Sequence, residues 1–237
     1  MYDQYRQQMS EKLNSLLKPE HQKVLCVGDS VPNIQKHLQD QGCEFVHVES
    51  LNPNWRDVSR DQPHLPLDLP QKHFDLLLVY HGLEQAIDPE RLVLELRKYL
   101  QPEGQIYIVA YNVGHISTII NLLTEGWAYQ DDGALRHNHV RYFSNESLRK
   151  LMDQVGFEFI DEVVYQIQQL PVLTRQLAQI MKNPYLSILS FIMIGRKLNS
   201  FPFIDFEDDS EKEAPAKAEK KVEAPKPVET GSETEPA

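Results

Sequence analysis

At 237 residues, 41% of them hydrophobic and 25% charged, the chain can bury the core of one medium-sized domain with some length left over. Its formal net charge of -11 argues against a nucleic-acid surface, which needs clustered Lys and Arg to neutralise phosphates. No apolar run reaches the roughly 18 to 20 residues of a membrane span, and the start, Met1-Tyr2-Asp3-Gln4, lacks the basic and then apolar layout of a signal peptide, so the expected location is cytoplasmic.

Residues 1–20 carry Tyr2, Tyr5, Met9, Leu13, Leu16 and Leu17 at spacings of three and four, which predicts a helix packed on the domain edge. Lys23 to Val27 is a short apolar run ended by Gly28. Ile34, His37 and Leu38 then fall at helical spacing between Asn33 and Gln41, and Glu44 to Glu49 follows as a strand. Strand, helix and strand in that order make a βαβ unit with a parallel pair. Ser50 to His73 is rich in Pro and polar residues and holds at most a short strand around Leu65 to Leu69. Phe74 to Tyr80 is nearly continuous in apolar residues, as in a central strand covered on both faces.

Leu92, Val93, Leu96 and Leu100 form a helical stripe, with Asp88 suited to the cap and Pro89 to the first turn. Gln101-Pro102-Glu103-Gly104 should break that helix and release a strand from Gln105 to Ala110. Ser144 should cap a helix over Asn145 to Gln154 that ends at Gly156, and Phe157 to Val164 and Leu189 to Gly195 read as late strands. The fold expected is α/β: a Rossmann-like doubly wound sheet, mostly parallel with an antiparallel C-terminal strand, spanning residues 21–200. An insertion at about 112–143 should cover its site. From Asp205 onward, eleven acids and five lysines put -6 of the net charge into a segment of Glu, Lys, Ala and Pro. Residues 205–237 are therefore expected to be a disordered acidic tail, with a solubilising role favoured over docking to a protein partner. Cys26 and Cys43 show no CxxC or Cys/His spacing and read as buried free thiols.

In such a sheet, ligands bind beyond the carboxyl ends of the strands, where strand order reverses. Gly28, followed by Asp29, lets a ligand approach the backbone, although a lone glycine there is more often only a turn. Glu49 at the end of the second strand could accept hydrogen bonds from both hydroxyls of a ribose, or be a plain exposed carboxylate. His81 lies on the same rim, where a histidine can bond or exchange protons. His115, His137 and His139 share the insertion with Trp127, Tyr129, Arg141 and Tyr142, a mixture suited to covering a substrate. A metal site is disfavoured, since only His137-Asn138-His139 approaches a ligand repeat.

These residues follow a pattern in order. Phe74-Asp75-Leu76-Leu77, His81-Gly82-Leu83-Glu84, Asp88-Pro89, Leu100 to Gln105, Asn112-Val113-Gly114-His115, His139 to Ser144 and Gly156-Phe157 make the stretch from Lys23 to Lys197 resemble the class I methyltransferases. The resemblance is strongest to a branch found with polysaccharide and glycosyl-transfer genes. It implies a seven-stranded sheet, S-adenosylmethionine as cofactor and a small-molecule or glycan acceptor methylated at a hydroxyl. It further implies Gly28, Asp29 and His81 against the cofactor, Glu49 on the ribose, Asp68 near the adenine, and His115 or His139 as base. Arg141 would orient substrate or hold the lid. Where the family has an acid, this chain has Cys26; where it has glycines, Ser30 and Pro32; where it often has histidine, Gln85. That degenerate loop motivates a rival reading, a non-catalytic binding or scaffolding module with the same fold. A nucleotide-dependent oxidoreductase would share the βαβ unit but lacks its glycine fingerprint.

Overall fold

Side chains alternate across the strands, and that alternation sets the architecture that the computed structural model describes over residues 2–49, 68–166, 172, 176 and 179–201. The expected tail, 205–237, lies outside the described residues, as does 65–67 of the possible third strand. Six strands form one sheet: β1 (Lys23–Gly28), β2 (Glu44–Glu49), β3 (Phe74–Tyr80), β4 (Leu100–Tyr111), β5 (Phe157–Gln166) and β6 (Ile188–Lys197), in the order β2-β1-β3-β4-β6-β5. Pairings among β2, β1, β3 and β4 are parallel, whereas β6 runs antiparallel to both β4 and β5. Six strands lie among the described residues; Asp68 and Leu69, at the edge of the region left out, belong to no strand.

In β3, Phe74, Leu77 and Val79 enter one apolar cluster while Leu76, Leu78 and Tyr80 enter another on the opposite face. Helices α3 (Pro89–Arg97) and α5 (Asn145–Gln154) fill the first face with Leu92, Val93, Leu96, Leu148, Leu151 and Met152. Helices α1 (Tyr2–Leu16) and α2 (Pro32–Asp40) fill the second with Tyr5, Met9, Leu13, Ile34 and Leu38. The result is three layers with a doubly covered sheet. Both predicted caps are present: the Asp88 carboxylate accepts from Arg91 N at 3.0 Å, and Ser144 forms a capping box with Ser147.

Two local features differ from expectation. Gln101 to Gly104 does not precede β4 but interrupts it: Leu100 already pairs with Phe74, and the ladder resumes at Leu76 with Gln105. Glu103, at φ 59°, turns the intervening loop out of the sheet. An unpredicted helix, α4 (Ile116–Thr124), follows β4. Ile116, Ile119, Ile120 and Leu123 fall at helical spacing, a signal that the sequence reading passed over.

Candidate functional site

A cavity of about 530 Å³ opens at the carboxyl ends of β1, β3 and β4, where the chain passes from one side of β1 to the other and a doubly wound sheet offers its binding crevice. Gly28 and Gly82 make this end of the sheet tight. A Cβ on Gly28, at φ +118°, would lie 2.1 Å from the Tyr80 carbonyl oxygen, and one on Gly82 would lie 3.2 Å from that of Val27. Asp29 N donates to the same Tyr80 oxygen at 2.8 Å. The loop after β1 is thereby pressed against the end of β3 and turns Asp29 into the cavity.

The Asp29 carboxylate accepts from Gln85 Nε2 at 2.9 Å and from the Arg136 guanidinium. Burial pushes its pKa up, but the charges of His81 and Arg136 and the hydrogen bonds from Arg136 and Gln85 outweigh this and hold it below the usual value. Gln85 is fixed in turn by Asn138 Nδ2, 2.8 Å from Gln85 Oε1. The residue standing in place of the resemblance's histidine thus ties the segment before α5 to the loop after β1. That segment also binds α1: Asp132 accepts from Arg6 at 2.6 Å and from the Tyr111 hydroxyl at 2.8 Å.

His81 forms part of the cavity wall. Its φ of 50° is left-handed, a strain of about 1 kcal/mol or more for a residue with a Cβ. Its ring stacks on Tyr111 with centroids 4.1 Å apart. Nδ1 lies 3.2 Å from Glu84 Oε1 and Nε2 lies 2.9 Å from the Tyr5 hydroxyl. Glu84 is a buried anion: burial raises its pKa, but the hydrogen bond and charge of His81, the charge of His139 and the Tyr111 N–H pull it below the usual range. An ionised carboxylate only accepts, so the Glu84 bond is one that His81 donates from Nδ1. The backbone carbonyl of Glu84 also receives Val140 N at 2.7 Å and Arg141 N at 2.9 Å.

Of the residues singled out from sequence, Gly28, Asp29 and His81 meet at this end of the sheet. Glu49 sits exposed at the end of β2, in register with Gly28 but outside the cavity lining, and Asp68 is exposed and apart. His139 is buried, its ring 6.0 Å from that of Tyr111. Its Nδ1 donates to the Ala134 carbonyl at 3.1 Å, while Nε2 has no partner among the described residues. His115 caps α4 through Nδ1 and Ser117, and Arg141 is exposed, its guanidinium on the Ile87 carbonyl. None of His139, His115 and Arg141 is among the residues that line the cavity. Sequence reasoning missed Tyr5, Arg6, Tyr111, Asp132 and Arg136. The signal available for Arg6, with Gln7 and Ser10, was a polar edge beside the Tyr5-Met9-Leu13 stripe.

Burial lowers the His115 pKa to about 4. A histidine kept neutral when folded but free to protonate when unfolded costs stability as pH falls from about 6.5 toward that value, up to about 3 kcal/mol. His115→Asn, which keeps a cap, is expected to flatten the melting temperature over that interval; an unchanged slope would remove His115 as its source. Among the described residues no group of three His, Cys, Asp or Glu is placed to hold a metal, and no helix is long and apolar enough to cross a membrane. Cys26 and Cys43 are both free and buried.

A doubly wound sheet with β6 reversed and a crevice at its switch point defines the class I methyltransferase fold. The profile of the family described as "Methyltransferase domain" matches residues 2–163, and the chain belongs to that family. Among solved structures, an S-adenosylmethionine-dependent methyltransferase from Archaeoglobus fulgidus is similar, at 15% identity, covering 81% of this chain and 94% of that one with a TM-score of 0.55. One from Mesorhizobium loti is 12% identical over 79% of this chain and 96% of its own (TM-score 0.45). The Burkholderia thailandensis 1,6-didemethyltoxoflavin-N1-methyltransferase, solved with bound 1,6-didemethyltoxoflavin and S-adenosylhomocysteine, is 16% identical over 75% of this chain and 71% of its own (TM-score 0.45). No curated protein matches the chain.

Proposed function

We propose that the protein is an S-adenosylmethionine-dependent methyltransferase acting on a small molecule or glycan that presents a hydroxyl. The observation that carries this is the cavity at the strand ends, built jointly by the loop after β1, the end of β3 and α1. Its volume lies within the roughly 300 to 1,000 Å³ of small-ligand sites, and its donor set fits the cofactor. Asp29 and Arg136 complement the ammonium and carboxylate of an amino-acid end, and the aromatic rings of Tyr80 and Tyr111 suit a sulfonium. Glu49, beside Gly28, is the acid we assign to the ribose. The cofactor when bound would supply an electrophilic methyl group; the chain's part is to orient the acceptor, exclude water and take up a proton. For that last role His139 is the candidate supported best, since burial, partly offset by Glu84, lowers its pKa and leaves Nε2 bare.

Calorimetric titration with S-adenosylmethionine and S-adenosylhomocysteine tests the proposal. Micromolar binding, about -8 kcal/mol, is expected, weakened about tenfold or more by Glu49→Ala, which removes hydrogen bonds to a charged group. No heat with either ligand would instead favour the non-catalytic module.

A further inference from the structure

The segment between α4 and α5 gathers four rings that its own packing leaves largely in the open. Trp127 is 49% exposed and Tyr129 52%. Trp127 meets Tyr142 edge to face, with ring centroids 5.1 Å apart, and Tyr129 stacks on His137 at 5.8 Å. The two pairs form one cluster, since the Tyr142 hydroxyl interacts with the polar ends of both Tyr129 and Trp127. Backbone bonds hold the cluster in place: Gln130 N donates to Leu135 O at 2.9 Å and His137 N to Gln130 O at 3.1 Å, closing the loop between Tyr129 and His137. Arg136, the residue before His137, is part of the cavity wall. At the other end of the cluster the Tyr142 hydroxyl donates to the His139 carbonyl at 3.1 Å. Large aromatic side chains are ordinarily spent on a core, and a group of them held at the surface marks a place that meets a ligand or partner.

Resting on the methyl-transfer reading above, we propose that Trp127, Tyr129, His137 and Tyr142 form the subsite that holds the acceptor, and that the acceptor is a neutral hexopyranose chain. A pyranose has an apolar face of C–H groups and a rim of hydroxyls, and the cluster has both matching halves. Its ring faces supply flat contact with little side-chain entropy to lose. The indole N–H, the phenol hydroxyls and the imidazole nitrogens at the ring edges supply donors and acceptors. A purely aliphatic ligand would leave that polar rim unpaired, which costs affinity. Charge disfavours an acidic saccharide. Asp132 and Arg136 are spent on Arg6 and Asp29, so the exposed charges interleaved with the rings are the carboxylates of Glu125 and Asp131 against the single guanidinium of Arg141. Two ring pairs suit consecutive sugar units, and because His137 directly follows Arg136, a chain seated on the rings can extend toward the cavity.

The test is an NMR titration of the full chain with maltohexaose, cellohexaose and chitohexaose, with hexanol as the apolar control. The sequence holds two tryptophans, Trp55 and Trp127, so the spectrum of Trp127→Phe assigns the Trp127 indole N–H by its loss. At least one of the saccharides is expected to shift that signal with about millimolar affinity or tighter, and hexanol is not. Trp127→Ala and Tyr129→Ala should each weaken the binding about fivefold or more, the share of one aromatic contact. The subsite falls if no saccharide moves the Trp127 signal, if hexanol moves it equally, or if both alanine variants bind as the wild type does. Should either variant not fold, the wild-type titration decides alone. S-adenosylmethionine is titrated separately. Cofactor binding without saccharide binding would remove the subsite and keep the methyl-transfer reading; saccharide binding without cofactor binding would leave a saccharide site and remove that reading.

Discussion

Gly28→Ala is expected to destabilise the protein by about 3 kcal/mol or more, among the largest effects of any single methyl group added to this chain. Two independent conflicts produce it. At φ +118° an L-residue is strained whatever the space around it, and the new Cβ would sit 2.1 Å from the Tyr80 carbonyl oxygen, with the Gly82 nitrogen at 3.0 Å. Both obstacles are backbone, so no side-chain rotation relieves them. The ends of β1 and β3 would have to separate, breaking the Asp29 N to Tyr80 O bond and tilting Asp29 away from Arg136. Urea unfolding should show a lower midpoint with an unchanged slope, and ligand binding should weaken in the fraction still folded. A Gly28→Ala protein of wild-type stability would mean that the strand ends are looser than the structure shows. Gly42→Ala is the informative control: its φ is also positive, at +79°, but nothing lies within 4 Å of a Cβ there, so only the backbone part of the cost should appear.

Asp29→Ala should rank second, and its effect falls on both stability and binding. The carboxylate gathers Arg136 from the segment before α5 and Gln85 from the turn after β3. Without it the Arg136 guanidinium is left in a mostly enclosed place with no counter-charge. Breaking a fully buried pair costs about 3 to 5 kcal/mol; with side chains 23% and 17% exposed, about 2 kcal/mol is the expectation here. Asp29→Ala combined with Arg136→Met should recover part of that loss, because the stranded cation is then gone. The pH dependence has a definite sign. The folded pKa of Asp29 is depressed, so its stabilisation is present above the unfolded carboxylate value of about 4 and disappears as pH falls through the lower folded value. Asp29→Asn should therefore lose stability near neutrality and converge on the wild type in strong acid, which a series of thermal melts would show. If the variant instead tracked the wild type in parallel at every pH, the ion pair would not be the source. Titration with S-adenosylmethionine should in parallel show binding reduced about 30-fold or more, since one end of the cavity loses its only described carboxylate while Arg136 gains a free charge.

The sheet was legible in the chain because its evidence is local. Phe74 to Tyr80 announces a strand buried on both sides by being apolar at every step but Asp75, and Asp88-Pro89 and Ser144 mark helix starts through cap chemistry that depends on neighbours three residues away. The Leu100 to Gly104 stretch misled because proline and glycine signal a break without saying whether the chain has already joined the sheet. Only the pairing of Leu100 with Phe74 decides that, and pairing is non-local. The candidate site was legible to the extent that it lies on strand ends, where the sequence places Gly28, Asp29 and His81 and where the cavity opens. Tyr5 and His81 are 76 residues apart, Arg136 and Asp29 are 107 apart, and no spacing rule connects them. Glu84 sat in plain view within His81-Gly82-Leu83-Glu84, but a carboxylate four residues past a strand is ordinarily on the surface, and the groups that meet it here, Tyr111 N–H on its side chain and Val140 and Arg141 N–H on its carbonyl, lie far along the chain.

The place of β6 in the sheet also bears on how the chain becomes a protein at all. Among the described residues β6 is the last strand in sequence, yet it lies between β4 and β5, pairing with β4 from Gln105 to Tyr111 and with β5 from Phe157 to Gln166. Until Ile188 to Lys197 inserts, β4 and β5 each present an open hydrogen-bonding edge beside exposed apolar side chains, a template for pairing with another chain. Folding therefore waits on contacts of long sequence separation, which are slow to form. The hazard for this protein lies in the interval of synthesis or refolding when everything but β6 is in place, and in chains interrupted there. In such chains aggregation, rather than a partly folded domain, is the expected fate.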